Sequence, residues 1–146
     1  MKFRCLLAIG ACVCLLLPLS ATAATIAVIG TGDVAGALGP RFAELGHTIV
    51  YGSRDPAADK AQQLVSRTAA ASVPSPADAV KDAEIVGLAV PAGVVVSVAQ
   101  SLGDLTGKVI IDPTNAFSFT EYRLVVAKSL EPVAVSLQNA IPGAHV

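Results

Sequence analysis

The chain has 146 residues, with ten basic and eleven acidic side chains, a formal net charge of −1 and an apolar content of 53%. That length suffices for one domain around one core. The near-neutral balance, without a basic run, argues against nucleic acid or an anionic membrane surface as partner.

The first segment reads as a leader rather than as part of the fold. Lys2 and Arg4 make a positive start, Cys5–Leu19 is an apolar run broken by Pro18, and Ala21-Thr22-Ala23 supplies a small-x-small cleavage pattern. Residues 1–23 are therefore expected to be a secretory signal peptide cut before Ala24, with a periplasmic or secreted product. A retained anchor is the alternative, but the run is short for a span that needs about 20 residues. Cys5, Cys12 and Cys14 all fall within this segment. Residues 24–146 thus have no disulfide, no thiolate nucleophile and no cysteine-bound metal. They carry eight basic and eleven acidic side chains, a net of −3.

Next comes a strand, a glycine turn, a helix and a second strand in about thirty residues, the unit that binds a dinucleotide. Thr25–Ile29 is the apolar strand and Gly30-Thr31-Gly32 the turn. Val34, Leu38, Phe42 and Leu45 recur with helical period as the expected inner face. Gly46-His47 leads into a second strand, Thr48–Gly52. Gly30 allows the tight turn. Gly32 leaves room for a pyrophosphate to approach the backbone, where the free amides and dipole of the helix start would hold it. The third position of the glycine pattern is Ala35, with Gly36 beside it. An ordinary structural turn is the competing reading of the glycines. Pro40 falls inside the helix, where it removes one hydrogen bond and presses on the carbonyl of Gly36.

The end of the second strand selects the cofactor. NAD-binding units usually place Asp or Glu there to hold the ribose hydroxyls. Here Ser53 and Arg54 stand in that place. A guanidinium and a hydroxyl suit a 2′-phosphate, so NADP is expected rather than NAD. The same residues also read as a polar turn, with Asp55 capping the next helix and Pro56 at its first position.

The remaining elements alternate. A helix with Ala57, Ala61, Leu64, Val65 and Thr68 on one face precedes a short strand near Ala69–Val73. Ser75 is expected to cap a brief helix beginning at Pro76 and running to about Lys81. A buried strand spans Glu84–Val90, and Pro91 starts a helix whose inner face is Val94, Val95, Val98 and Leu102. Val109–Asp112 is a fifth strand. The fold class is therefore α/β: a Rossmann-type, doubly wound parallel sheet in three layers, with strand order 3-2-1-4-5. Pro91 and Asn115 follow the fourth and fifth strands on the carboxyl edge, where the nicotinamide half of a cofactor would lie. A helix-starting proline and a turn asparagine are the plainer alternatives. Ala116 to about Glu121 reads as a loop with Phe117, Phe119 and Tyr122 close together, either a small satellite core or a platform for a planar ring. Leu124–Leu130 and Val133–Ile141 read as helical, and Ala144-His145-Val146 as the opening of a sixth strand.

His47 lies at the far end of the sheet from the expected site and His145 on the last strand fragment, so both are assigned structural roles. No carboxylate pair, Ser-His-Asp set or metal-ligand spacing is evident in the sequence. No catalytic side chain and no metal ligand are expected, which suits hydride transfer between two bound rings: positioning is the protein's part and the cofactor supplies the chemistry.

The stretches IAVIGTGDVAGALGPRFAELGHTIVYGSRDP, VGLAVPAGVV, GKVIIDPTN and SLQNAIPGAHV resemble the NADPH-dependent reductases of the deazaflavin coenzyme F420. They are also similar to the wider group that shares this N-terminal domain with pyrroline-5-carboxylate reductases. The resemblance spans Ala24 to Val146, and the Gly-Ser-Arg ending of the second strand is its most specific part. It implies that Thr31, Gly32, Asp33 and Val34 meet the pyrophosphate, that Ser53 and Arg54 hold the 2′-phosphate, and that Val90, Pro91 and Asn115 approach the nicotinamide. It also implies a small-molecule acceptor and allows a homodimer. The sequence departs from the family pattern in three ways. The lysine that often follows the arginine is not clearly aligned, Lys60 being nearest. The family runs on past the Pro-Gly strand into an acceptor-site part that this sequence, ending at Val146, lacks. The family is cytoplasmic, whereas this chain has an export-type leader. Two hypotheses follow: an NADP-dependent oxidoreductase acting on a deazaflavin, flavin, imine or carbonyl, or an exported dinucleotide-binding module without chemistry.

Overall fold

The computed structural model describes residues 22–114 and 131–146, together with the backbone of 117–120 and 123–126. Asn115, Tyr122 and nearly all of the expected leader lie outside the described residues. In chain order the elements are β1 (Thr25–Ile29), α1 (Asp33–Glu44), β2 (Thr48–Gly52), α2 (Asp59–Ser66), α3 (Pro76–Ala79), β3 (Ile85–Leu88), α4 (Val95–Ser101), β4 (Val109–Ile111), β5 (Phe117–Thr120), β6 (Arg123–Val126) and α5 (Val133–Ala140).

β1 to β4 form a parallel sheet in the order β2-β1-β3-β4. β1 is central because its run of Ile, Ala and Val can be buried on both faces, as a parallel strand must be; Ile26, Ala27, Val28 and Ile29 are all buried. On one face Ile26, Val28, Ile49 and Tyr51 pack with Ala35 of α1 and Leu64 of α2. On the other, Ala27, Ile29, Val86 and Leu88 pack with Ala79 of α3, Val95 and Ala99 of α4 and Leu137 of α5. The result is the expected three-layer Rossmann-type arrangement. The third expected strand, at Ala69–Val73, shrinks to a single parallel bridge between Val50 and Ser72, and the sixth to a bridge between Val109 and His145. Both bridges stand where the order 3-2-1-4-5 and its extension require.

Three expectations about faces and starts change. The inner side of α1 is Ala35 and Gly39, with Phe42 and Ala43 packed beside them, whereas Val34 and Leu45 are 45% and 74% exposed. Small residues face the sheet because Tyr51 rises into the space above Gly39, where a β-carbon would overlap its phenol. Of the expected inner face, Phe42 packs on the core, while Val34 and Leu45 do not. α1 nevertheless continues through Pro40 to Glu44. α2 begins at Asp59, not at Pro56, and its N-cap Ala58 has no side-chain cap. Asp55 instead accepts the Ala57 N–H through Oδ1 at 3.1 Å and closes a turn. The chain after Pro91 passes through a 3₁₀ turn, Ala92–Val94, before α4. That tighter turn rotates Val94 outward, and the buried stripe is Val95, Ala99 and Leu102. Ser75 does cap α3, accepting from Asp78 N–H, with Pro76 at its first position.

Within the stretch read as a loop and then a helix, Phe117–Thr120 and Arg123–Val126 form an antiparallel strand pair, with Phe117 opposite Val126 and Thr120 opposite Arg123. Phe-Ser-Phe-Thr alternates with period two, the strand pattern that the loop reading passed over, and Leu-Val-Val is a short apolar run that periodicity alone does not separate from helix. α5 lies within the expected Val133–Ile141.

Candidate functional site

The carboxyl ends of β1, β2 and β3 meet at the first glycine. Gly30 has φ +113°, a conformation that L side chains rarely adopt. Its N–H donates to Gly52 O at 3.0 Å, which ties the turn after β1 to the end of β2. A β-carbon at Gly30 would run into the carbonyl of Ala89 after β3. The turn thus fills the seam between two strand ends and sets Ser53 on one side and Val90 on the other.

Gly32 differs. Its backbone is extended and a β-carbon there would meet nothing within 4 Å. It is the N-cap of α1 and contributes no side-chain cap, so the first amides of the helix have neither a side-chain nor an intrahelical acceptor. Open space in front of free N–H groups, with the positive end of the dipole behind them, fits a phosphate group.

A cleft of about 450 Å³ opens beside this helix start. It is lined by Gly32, Asp33 and Val34, by Ala89, Val90, Pro91 and Ala92 after β3, and by Pro113 and Thr114 after β4. Five of the ten sequence-predicted residues, Gly32, Asp33, Val34, Val90 and Pro91, therefore share one cavity. Gly30 and Thr31 form its turn without lining it. Asn115 lies outside the described residues, but its neighbours Pro113 and Thr114 reach the cleft. Ala89, Ala92, Pro113 and Thr114 carry no recognisable chemistry in sequence; their only signal is adjacency to the two strand ends. Thr114 N–H donates to Asp112 Oδ1 at 3.0 Å. The Thr114 hydroxyl is shielded from water and has no partner among the described residues.

Ser53 and Arg54 stand apart from the cleft, at the end of β2 on the far side of the glycine turn. Ser53 is 6% exposed. Its hydroxyl donates to Asp55 O at 2.8 Å and accepts from Asp55 N–H at 3.2 Å. Ser53 N–H donates to Pro74 O at 3.1 Å. The serine therefore fixes the loop that presents Arg54. Arg54 is exposed, and no ion pair engages it among the described residues. An unpaired guanidinium beside a rigid turn fits a phosphate ester.

Both histidines are used by the scaffold. His47 Nδ1 accepts the Ala24 N–H at 3.1 Å, and its ring stands edge-on to Phe42 at the opposite end of the sheet. The His145 backbone pairs with Lys108 and Ile110. Among the described residues no group of three His, Cys, Asp or Glu side chains is placed to hold a metal ion.

A family model described as NADP oxidoreductase, coenzyme F420-dependent, matches residues 25–116. Among solved structures the chain is similar to a protein from Arthrobacter sp. FB24 described as an F420-dependent NADP-reductase, with 25% identity and a TM-score of 0.71, covering 82% of this chain and 59% of that one. It is also similar to hypothetical protein SMa0349 from Sinorhizobium meliloti, with 27% identity, a TM-score of 0.66, and coverage of 83% and 58%. Mycobacterium tuberculosis shikimate dehydrogenase matches with 28% identity, a TM-score of 0.59, and coverage of 88% and 45%. The chain spans about three fifths of the length of the first two structures.

Proposed function

The chain belongs to the coenzyme F420-dependent NADP oxidoreductase family, and from that premise we propose that it binds NADP(H) across the carboxyl ends of β1 to β4 and passes hydride between the nicotinamide and a deazaflavin or flavin-like ring. The observation that supports this best is the open space over Gly32, bounded by free helix amides and joined through Gly30 to the end of β2.

In this reading the first-turn amides of α1 hold the pyrophosphate, flanked by Thr31, Asp33 and Val34. Arg54 pairs with the 2′-phosphate, on a loop that Ser53 holds rigid. Val90, Pro91 and Asn115 flank the nicotinamide, and Thr114 offers a hydroxyl at the same edge. The cofactor supplies the hydride when bound. The cleft walls are largely apolar, which suits the face of a nicotinamide ring, and the paired strand ends would position that ring.

A nucleotide-binding module without chemistry is the second reading. We also propose that residues 1–23 direct export and are removed before Ala24. The deciding experiment is titration of the purified protein with NADPH and NADH, followed by an assay of NADPH loss with a deazaflavin acceptor. Binding with turnover supports the oxidoreductase, binding without turnover the module, and no binding rejects both.

A further inference from the structure

Arg67, the C-cap of α2, reaches back from the end of its helix to α1. Its guanidinium lies against Gly36, in the place a β-carbon at that position would occupy. Gly36 is one turn into α1, and its N–H donates to Gly32 O at 3.0 Å. The guanidinium is therefore held beside the first turn of the helix whose amides face the open space at Gly32. The chain beside it touches β2: Thr68, the next residue, has its Oγ1 2.9 Å from the phenolic oxygen of Tyr51, two residues before Ser53. No carboxylate is in ion-pair contact with Arg67 among the described residues.

We propose that Arg67 is a second cation for the phosphorylated adenosine end of the cofactor, acting with Arg54 to select a 2′-phosphate. The assignment rests on the NADP reading above. Two features support it. An arginine without an ion-pair partner among the described residues lies against the first turn of α1, whose amides would hold the pyrophosphate, and the next residue, Thr68, bonds Tyr51 near the carboxyl end of β2, where the 2′-phosphate would lie. And Gly36, which a helix would gain by replacing with alanine, leaves the room that the guanidinium fills.

The chemistry that would recognise Arg67 is a dianionic phosphate ester on a ribose. Its contribution is electrostatic and partly screened, so it should be smaller than that of Arg54 and should fade as salt rises.

The test uses the adenosine end alone. Wild type, Arg67→Gln, Gly36→Ala and Arg54→Ala are titrated calorimetrically with adenosine 2′,5′-bisphosphate and with AMP. Arg67→Gln should weaken the bisphosphate about three- to tenfold and leave AMP within about twofold. Gly36→Ala keeps the charge in the chain but expels the guanidinium from its seat, at small cost because the displaced atoms end a flexible side chain. It should reproduce the same selective loss while the protein melts no earlier than wild type. Equal losses for both ligands would mean that Arg67 only braces α1 against α2, and no loss would mean that it is idle; either overturns the assignment while Arg54→Ala still reports on the cofactor reading. If wild type binds the bisphosphate no better than AMP, that reading fails and this assignment with it.

Discussion

Tyr51 and Thr68 meet beneath α1, the phenolic oxygen 2.9 Å from Thr68 Oγ1, in a space that exists because Gly39 has no side chain. Both residues are buried. Each hydroxyl satisfies the other, which removes the cost of burying two polar groups.

The first prediction follows from that packing. Gly39→Ala gains helix propensity but drives a methyl group into the Tyr51 ring, which cannot retreat through the sheet. Overpacking of a well-filled core costs about 1–3 kcal/mol. Chemical denaturation should show a net loss of stability in that range. A gain would mean that the tyrosine moves freely and that the helix is not held by it.

Tyr51 also predicts an alkaline sensitivity. Burial raises its pKa above the ordinary 10.0, against smaller opposing effects from the Thr68 hydrogen bond and the Arg67 charge. The folded state thus holds the phenolic proton more tightly than the unfolded state. The corresponding stability is complete below the ordinary tyrosine value and is lost as pH rises from there through the raised value. Tyr51→Phe should lower stability at neutral pH by about 1 kcal/mol, since it leaves Thr68 unpaired, and should flatten this part of the alkaline decline. Melting curves of both proteins between neutral and strongly alkaline pH decide it; parallel declines would show that Tyr51 does not titrate in the folded protein.

The same residues explain what was legible in the sequence. Strand composition, glycine spacing and the alternation of elements fixed the sheet order and put five predicted residues in one cleft, because these depend on local rules that tertiary packing does not overturn. The inner stripe of α1 was legible only at Phe42. Val34, Leu38, Phe42 and Leu45 satisfy the helical period, but which stripe is buried depends on how close the helix must come to the sheet. Tyr51 on a different element decides that, and nothing local to α1 encodes it. Asp55 was misassigned for a related reason. The Asx turn it closes and the helix cap it was expected to make use the same acceptor, and the Ser53 hydroxyl favoured the turn. Thr114 was passed over because a hydroxyl after a strand has no sequence signal until its burial is known.

A third prediction concerns the turn itself. Gly32 has an ordinary extended backbone and open surroundings, so Gly32→Val should fold with little loss of stability. The valine would stand where the pyrophosphate approaches the helix amides. NADPH affinity should fall at least about tenfold, or ~1.4 kcal/mol. Unchanged affinity in a calorimetric titration would reduce Gly32 to a structural turn residue.

A fourth concerns the N-terminus. The positive start, apolar run and Ala-x-Ala pattern call for cleavage before Ala24, one residue ahead of β1. The protein recovered from the native host should begin at Ala24 or within a residue of it and should lie outside the cytoplasm. N-terminal mass spectrometry of the soluble protein checks this, and Met1 retained on it would sink the proposal.

The last prediction tests the cofactor assignment at Arg54. A guanidinium forms a charge-assisted pair with a 2′-phosphate that NAD lacks. Arg54 is ready for it, being exposed and outside the ion pairs of the described residues. Ser53 contributes differently, since its hydroxyl already bonds Asp55 in both directions. It can reach the phosphate only by giving up its bond to Asp55 O, so its net contribution is small and its main effect is to hold the loop. Hydrogen bonds to charged groups contribute about 1.5–3 kcal/mol each, and solvent at this exposed site reduces that. Wild type should prefer NADP over NAD by roughly tenfold to a hundredfold. Arg54→Ala should lose most of the preference by weakening NADP and leaving NAD unchanged. Ser53→Ala should weaken both cofactors together, because the loop it braces loosens. The preference should also shrink between low and high salt, as the pair is exposed to screening. Calorimetric titration of the three proteins with both cofactors at two salt concentrations gives the answer. Equal binding of NAD and NADP by wild type would overturn the NADP assignment, and an Arg54→Ala protein that keeps the preference would move it to another cation.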